Sequence, residues 1–356
     1  MHMNGLDQDM TPDRRHAAAR PLQLPHPYLL FLGDADELTY LKTALGLRDW
    51  APGLCLAQYR CEGAHADIGL PLMSPRQARL AGAEAMVIGV ASIGGALAPA
   101  WMPCLVEALE AGLDLVWGGH DSLAADPQLK ALAARLGRRL IDVRRPPDGL
   151  PIATGRKRSG KRLLTVGTDC ALGKKYTALS LARALRARGV QADFRATGQT
   201  GVMIAGGGLA IDAVVADFVA GAAESLSPDA APDHWDVIEG QGSLFHPSYA
   251  GVSLGLLHGS QPDVIVLCHE PGRARIVGLP DYPVPALVDA IDLTLRLARL
   301  TNPHVRCAGI SLNTSKLSEA EAQAAIERCT AEMGIPAADP MRPGPAFDAL
   351  ITSCLA

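Results

Sequence analysis

The residue types best suited to chemistry in this 356-residue chain gather in one stretch, Gly167-Thr168-Asp169-Cys170-Ala171-Leu172-Gly173-Lys174-Lys175-Tyr176-Thr177. An apolar run, Leu163 to Val166, precedes it, and a helical pattern beginning at Tyr176 follows. Strand, glycine-bounded turn with Gly-Lys, and helix together make a phosphate cradle. The N–H groups of the turn and the positive end of the helix dipole both point at a bound anion. The standard loop of this kind has four residues between its glycines and a Ser or Thr directly after the lysine. Here five residues separate Gly167 from Gly173, and Lys175 stands where the magnesium-binding hydroxyl would be. Thr177 lies about 200° round the helix from that position and cannot replace it. A magnesium–nucleotide hydrolase would lack a metal ligand, whereas a metal-free phosphate site would lose nothing.

A second set of reactive types follows an apolar run, Trp235 to Ile238, that ends in Glu239 and continues as Gly240-Gln241-Gly242-Ser243. In phosphate-loop proteins an acid at such a strand end faces the loop across the sheet; a strand-end glutamate turned to water is the alternative. Glu239 and His246 are both candidates for a general base, Glu239 by position and His246 by its ordinary titration range. Gln241, Ser243 or nearby N–H groups could steady an oxyanion. Asp169 is unexpected in an anion cradle, and accepting from a substrate amine, orienting Lys174 or capping the helix are all open to it. Cys170 near a helix N-terminus could carry an acyl group, although direct transfer needs no covalent step. His269, Glu270 and Arg273 form a polar cluster after the most strand-like run, Asp263 to Cys268, and read as a substrate site or a solvated loop. Asp212 and Asp217, five residues apart on an expected helix from Ile211 to Glu224, are no paired-carboxylate site.

These groups need a frame, and the pattern supplies one. Short apolar runs (28–32, 54–59, 85–90, 113–117 and 139–143) alternate with helical stretches (37–45, 102–111 and 127–136), which argues for a parallel sheet covered on both faces. Gly33-Asp34, Gly89 to Gly95 and Gly118 to Asp121 fall at strand ends, where ligands of such sheets sit. None has dinucleotide-binding spacing, and His120-Asp121 is the best functional candidate among them. A Pro-, Gly- and Arg-rich stretch from Arg144 to Lys161 reads as a linker. The expected division is a flexible arm (1–26), a first α/β domain (27–150) and a second (151–356). In the second, strands are expected at 190–195, 235–239, 263–268 and 307–312, helices at 319–333 and 345–354, and polar loops at 244–248 and 258–260. A net charge of −4, without a basic stripe, argues against nucleic acid. The eight cysteines include no CxxC pair, so a zinc ribbon or redox motif is not expected. With no signal-like segment and no apolar run of membrane length, the reading is cytoplasmic. An Ala/Leu-rich C-terminus and the N-terminal arm point to a homo-oligomer.

The loop resembles that of dethiobiotin synthetase in its five-residue spacing, as do Glu239-Gly240 and the strand end Gly309 to Asn313. That enzyme uses Mg-ATP and has a hydroxyl residue after its loop lysine. The chain more closely resembles the bacterial D-glutamate N-acetyltransferases. The likeness rests on Gly167 to Ala171 with Lys174, Tyr176 and Thr177, on Ala196-Thr197-Gly198-Gln199-Thr200-Gly201, and on Asp212 with Asp217-Phe218. It extends to Glu239 through Ser243 with His246-Pro247, and to Asn313-Thr314. The resemblance implies a Rossmann-like domain fused to a P-loop domain, with acetyl-CoA as cosubstrate, D-glutamate or a similar acidic amino acid as acceptor, and no metal. On that reading Gly167, Thr168, Cys170, Ala171, Gly173, Lys174, Lys175, Tyr176, Thr177 and Asn313 hold CoA. Gln199, Thr200, Gln241, Ser243, His269 and Arg273 bind the acceptor, and Glu239, His246 and Asp169 do the chemistry. The alternatives are a Mg-ATP-dependent ligase or kinase with Glu239 on the metal, and a non-catalytic CoA- or nucleotide-binding module.

Overall fold

A computed structural model describes residues 21–91 and 96–356; the expected arm up to residue 20 and the strand-end residues 92–95 lie outside them. The first element, β1 (Leu22–Gln23), belongs to the part of the sequence read as a free arm. It pairs antiparallel with Gly207–Gly208 far along the chain, and Leu24 is buried. A Cβ at Gly207 would lie 2.6 Å from the Leu22 carbonyl, so this close pairing requires glycine.

The first sheet contains β2 (Tyr28–Phe31), β3 (Cys55–Tyr59), β4 (Ala85–Ile88), β5 (Asp114–Trp117) and β6 (Leu140–Asp142). All pair parallel in the order β3-β2-β4-β5-β6. Helices α1 (Lys42–Trp50), α2 (Pro75–Leu80), α3 (Met102–Glu110) and α4 (Pro127–Leu136) connect the strands. Local chemistry sets several ends. Ser74 and Gln77 form a capping box for α2, and Asp126 caps α4 with Pro127 in its first turn and Gly137 in the left-handed conformation at its end. The strand-order reversal between β2 and β4 is where such sheets usually bind ligands. Here Trp101 fills it: its indole N–H donates to Asp34 at 2.7 Å, and a Cβ on Gly33 would lie 2.9 Å from the ring.

The second sheet is also parallel. It comprises β7 (Lys161–Gly167), β8 (Ala192–Arg195), β10 (Trp235–Ile238), β11 (Val264–His269), β14 (Arg306–Leu312) and β15 (Ala337–Ala338), with β9 (Gly207–Gly208) set apart as the partner of β1. Their order, β15-β14-β11-β7-β10-β8, puts β7 at the centre with β10 and β11 beside it. The helices are α5 (Lys174–Ala187), α6 (Gln199–Ala205), α7 (Val219–Leu226), α8 (Ala250–Ser260), α9 (Leu287–Ala298), α10 (Glu319–Met333) and α11 (Pro345–Leu355). A hairpin of β12 (Arg275–Ile276) and β13 (Leu279–Pro283) follows β11.

Two segments depart from expectation. The helix expected from Ile211 to Glu224 is two short 3-10 turns, 211–213 and 216–218, followed by α7. Val214 and Val215 are extended between the turns, as β-branched residues prefer, and this frees Asp212 from a helix face. Helix α8 (Ala250–Ser260) takes in the expected loop 258–260 and the residues before it. Gly251, Gly255 and Gly259 lower its intrinsic helix propensity, yet close packing explains two of them. A Cβ on Gly255 would meet Val219 at 2.6 Å, and one on Gly259 would meet the Ala220 carbonyl at 2.1 Å.

The two sheets share packing. Val202, Met203 and Ile204 of α6 are buried in the same apolar core as Leu29 to Leu32 and Leu47 of the first domain. The Tyr28 hydroxyl donates to the Met203 carbonyl at 3.3 Å, and the rings of Trp50 and Tyr176 lie 5.8 Å apart.

Candidate active site

At the carboxyl end of β7 the chain turns into α5 through two residues of positive φ, Ala171 at 53° and Gly173 at 93°. Gly173 precedes the helix without a side-chain cap, which leaves the first-turn N–H groups for a ligand. The Lys174 ammonium is buried and donates to the Asp169 carbonyl at 2.8 Å. Burial lowers the pKa of both Lys174 and Lys175, with Glu239 opposing the shift at each, and the Lys175 ammonium lies 4.4 Å from the Tyr176 ring centroid. Gly240, after β10, is pressed against this turn: a Cβ there would come within 1.7 Å of the Thr165 carbonyl and 3.1 Å of the Lys174 stem.

Beneath the loop, Asp169 is wholly buried. One carboxylate oxygen accepts from Cys170 N at 2.6 Å, the other from Val277 N at 2.8 Å and from the Arg273 guanidinium at 3.0 Å. Arg273 also donates to the Cys170 carbonyl at 2.8 Å and to Glu270 at 2.6 Å. The pair therefore fastens the underside of the loop.

Glu239 faces the loop from the end of β10 and is 4% exposed. Its Oε2 accepts from Thr197 N at 3.0 Å and Gly198 N at 3.1 Å, at the start of α6. Its Oε1 accepts no hydrogen bond among the described residues. The carboxylate lies so close to α6 that a Cβ on Gly201 would meet Oε2 at 2.2 Å. Burial raises the Glu239 pKa to about 7, against the lowering pull of the Thr197 amide, Lys175 and the Gly198 amide. A carboxylate tuned to neutrality, with one oxygen anchored and one open, suits a general base.

The loop and Glu239 line one cleft of about 1110 Å³, together with Gln241, Ser248, Tyr249 and Asn313. Part of its lining comes from the first domain and the segment after α6. Arg144 donates from Nε to the Gly118 carbonyl at 3.1 Å and from Nη1 to Asp212 at 2.6 Å. His120 and Asp212 line the cleft as well.

Comparison with known proteins matches residues 151–350 to a family described as a domain of unknown function, DUF1611, P-loop domain, and residues 59–146 to its Rossmann-like N-terminal domain. The chain belongs to the DUF1611 family. Two relatives are named D-glutamate N-acetyltransferase. One, from Tritonibacter scottomollicae, is 51% identical over 318 residues, covering 89% of this chain and 96% of its own. The other, from a Pseudoalteromonas species, is 47% identical over 323 residues, covering 91% and 97%. A crystal structure of a DUF1611 family protein from Anabaena variabilis superposes with a TM-score of 0.80 at 36% identity, covering 92% of this chain and 99% of that one. The two-domain α/β fold expected from the sequence is thus the fold of the family.

In this DUF1611 chain the cleft brings together Cys170, Ala171, Gly173, Lys174, Lys175, Tyr176, Glu239, Gln241 and Asn313 from the expected set. Several other candidates sit elsewhere. Gly167 ends β7 below the turn, and the buried Thr168 hydroxyl pairs with His269 Nδ1 at 3.0 Å. The Thr177 hydroxyl pairs with Ser311 at 2.7 Å, away from the cleft. The first turn of α6 faces the other domain: Thr200 approaches Thr43 at 3.5 Å, and a Cβ on Gly118 would meet Gln199. Ser243 is buried and accepts from Phe245 N. His246 is buried against the Tyr249 ring, its Nδ1 accepting from Ser248 N at 3.2 Å while Nε2 contacts the Val277 carbonyl at 3.3 Å. With both nitrogens engaged, His246 is a poor base. Asp169 and Arg273 likewise spend their bonds on each other and on the loop, which favours positioning over catalysis or acceptor binding. Asp169, Cys170 and His246 hold ligand-type atoms within 4.8 Å of one another, but these same bonds make the trio a poor metal site. Burial pushes the Cys170 thiol pKa up, which disfavours the thiolate an acyl relay would need.

Arg144 and Asp212 were not among the expected site residues. The first falls in the expected linker; the second falls on an expected helix and belongs to the family likeness, without an expected site role.

Proposed function

We propose that this protein transfers the acetyl group of acetyl-CoA to the amino group of D-glutamate, and that the loop holds the CoA phosphates. One observation carries the reading. A buried, half-anchored carboxylate tuned near neutrality faces a phosphate-type loop whose hydroxyl is turned away from the cleft. This arrangement suits proton removal beside a phosphorylated handle and gives a magnesium–nucleotide no hydroxyl at the usual place. The names of the two relatives agree with it.

In the reaction the amine nitrogen bonds to the acetyl carbonyl carbon as the carbon–sulfur bond breaks, and CoA leaves as the thiol. The chain's own groups divide the work. The first-turn amides of α5 with Lys174 and Lys175 hold phosphate charge. Glu239 Oε1 takes the proton released by the amine. Gln241, whose amide is anchored by donating to Thr197 Oγ1 at 3.0 Å, has a second N–H for the thioester carbonyl. Use of acetyl-CoA belongs in the cytoplasm, and the eight free cysteines fit a reducing compartment. Among the described residues no helix is long and apolar enough to cross a membrane.

The direct test is thiol release from acetyl-CoA in the presence of a chelator, with and without D-glutamate. Release that depends on D-glutamate and not on magnesium supports the reading; magnesium-dependent ADP formation from ATP would favour a ligase or kinase instead. Because the base must be ionised, kcat/KM is expected to climb with pH through about 7 and to level off above neutrality. A profile flat from pH 5 to 8 would remove Glu239 from the role. Lys174→Ala is expected to raise the Kd for CoA about 10- to 100-fold, the scale of losing a hydrogen-bonded charge. Unchanged affinity in calorimetry would refute the phosphate assignment.

A further inference from the structure

Basic side chains from both domains line the cleft, and those of the first domain are left without a task by the acetyl-transfer reading. Lys174 and Lys175 belong to the loop. Arg144 and His120 come from the other domain and line the same space. Arg144 is steadied rather than neutralised: Nε is held by the Gly118 carbonyl and Nη1 by Asp212, while Nη2 has no partner among the described residues. Its side chain is 21% exposed and that of Asp212 30%, so the pair remains open to the cleft. A guanidinium fixed in this way presents a planar donor edge suited to a carboxylate. His120, exposed in the same cleft, adds a second donor.

Asp212 sits close enough to Glu239 to raise its pKa electrostatically, so the Arg144–Asp212 pair and the proposed base share one end of the cleft. An acidic amino acid has the matching layout, with a cationic nitrogen at one end and a carboxylate a few bonds away.

We propose that Arg144, with His120 beside it, receives the side-chain carboxylate of the acceptor while the acceptor's amino group lies at Glu239. Asp212 acts as a positioning residue that holds the guanidinium edge toward the cleft. The inference rests on the acetyl-transfer reading and adds that the first domain, not the P-loop domain, selects for an acidic side chain. D-glutamine, which has the same length without the charge, is the informative competitor.

The test compares kcat/KM for D-glutamate and D-glutamine in the wild type, Arg144→Gln, Arg144→Lys and His120→Gln, with the KM for acetyl-CoA and a thermal melt measured alongside. Arg144→Gln is expected to raise the KM for D-glutamate about 10- to 100-fold and to erase most of its advantage over D-glutamine, with the KM for acetyl-CoA within about twofold of wild type. Arg144→Lys keeps the charge without the fork and should retain a weakened preference. A purely structural role for Arg144 in docking the domains would lower both acceptors together and leave their ratio fixed; that outcome overturns the inference. If Arg144→Gln fails to fold, Arg144→Lys and His120→Gln carry the comparison, and an undiminished preference for D-glutamate in both overturns it. Absence of acetyl transfer by the wild type to any acidic amino acid overturns the functional reading and this inference together, whereas a preserved acceptor ratio in active variants overturns the inference alone.

Discussion

Glu239→Gln is expected to lower kcat for acetyl transfer by roughly 10²- to 10⁴-fold, the usual contribution of a positioned base, while leaving CoA affinity almost unchanged. Glutamine has nearly the same shape, and its carbonyl oxygen can keep both bonds from Thr197 N and Gly198 N. What it lacks is an oxygen that takes a proton. The same substitution should stabilise the protein, and the pH dependence of that gain is a second check. Glu239 titrates near 7 in the folded chain and near 4.3 when unfolded. Below the unfolded value both states bind the proton, and wild type and variant should be equally stable. As pH rises to and beyond the folded value, only the wild type must bury a charge, at roughly 3 kcal/mol. Denaturant curves at pH 5 and 8 should show the gap opening with pH. A variant that loses activity and shows no such widening would mean that Glu239 is not buried as a titrating acid.

Arg273→Ala carries the second large effect, and it concerns the loop rather than the chemistry. Asp169 has no exposure, and Arg273 supplies its buried counter-charge at 3.0 Å. Removing one partner of such a pair strands a charge, which costs about 3–5 kcal/mol. The Cys170 carbonyl loses a donor as well, just before a residue of positive φ. Thermal stability and CoA affinity should both fall. The double variant Asp169→Asn with Arg273→Ala should recover part of the stability, because the stranded charge is gone. If the double variant is as unstable as the two single losses added together, the pair does not act as a unit.

Much of this was legible in the chain, and the reason is distance along it. Strand, glycine turn and helix at 163–187 are local signals, and even the turning away of Thr177 follows from helical geometry alone. Glu239 was legible because a strand end has few directions to offer. His246, Asp169 and Arg273 have types that permit chemistry, yet each is engaged by distant chain: His246 and Asp169 by Val277, 31 and 108 residues away, and Arg273 by Asp169, 104 residues away. Nothing local told a buried, fully bonded side chain from one facing substrate. Arg144 and Asp212 were passed over for the converse reason. They are 68 residues apart, one in a Pro- and Gly-rich stretch and one in an apparent helix, and they gain meaning only where the domains meet. The Thr197 to Gly201 motif was visible, but its role as a cradle required Glu239 to be placed against it. Helix α8 is masked by three glycines, two of which, Gly255 and Gly259, serve close contact with α7.

Helix α6 serves two masters. One end holds the carboxylate of Glu239, and its Val202, Met203 and Ile204 are part of the apolar core of the other domain. The halves of this chain are consequently not interchangeable modules, although each resembles one. A gene cut near residue 150 would yield a P-loop fragment whose base rests on a helix stripped of its packing. Opening the cleft by swinging the domains apart would likewise disturb the carboxylate. Entry past exposed side chains that line the cleft, such as Tyr249, would leave that contact between the domains undisturbed.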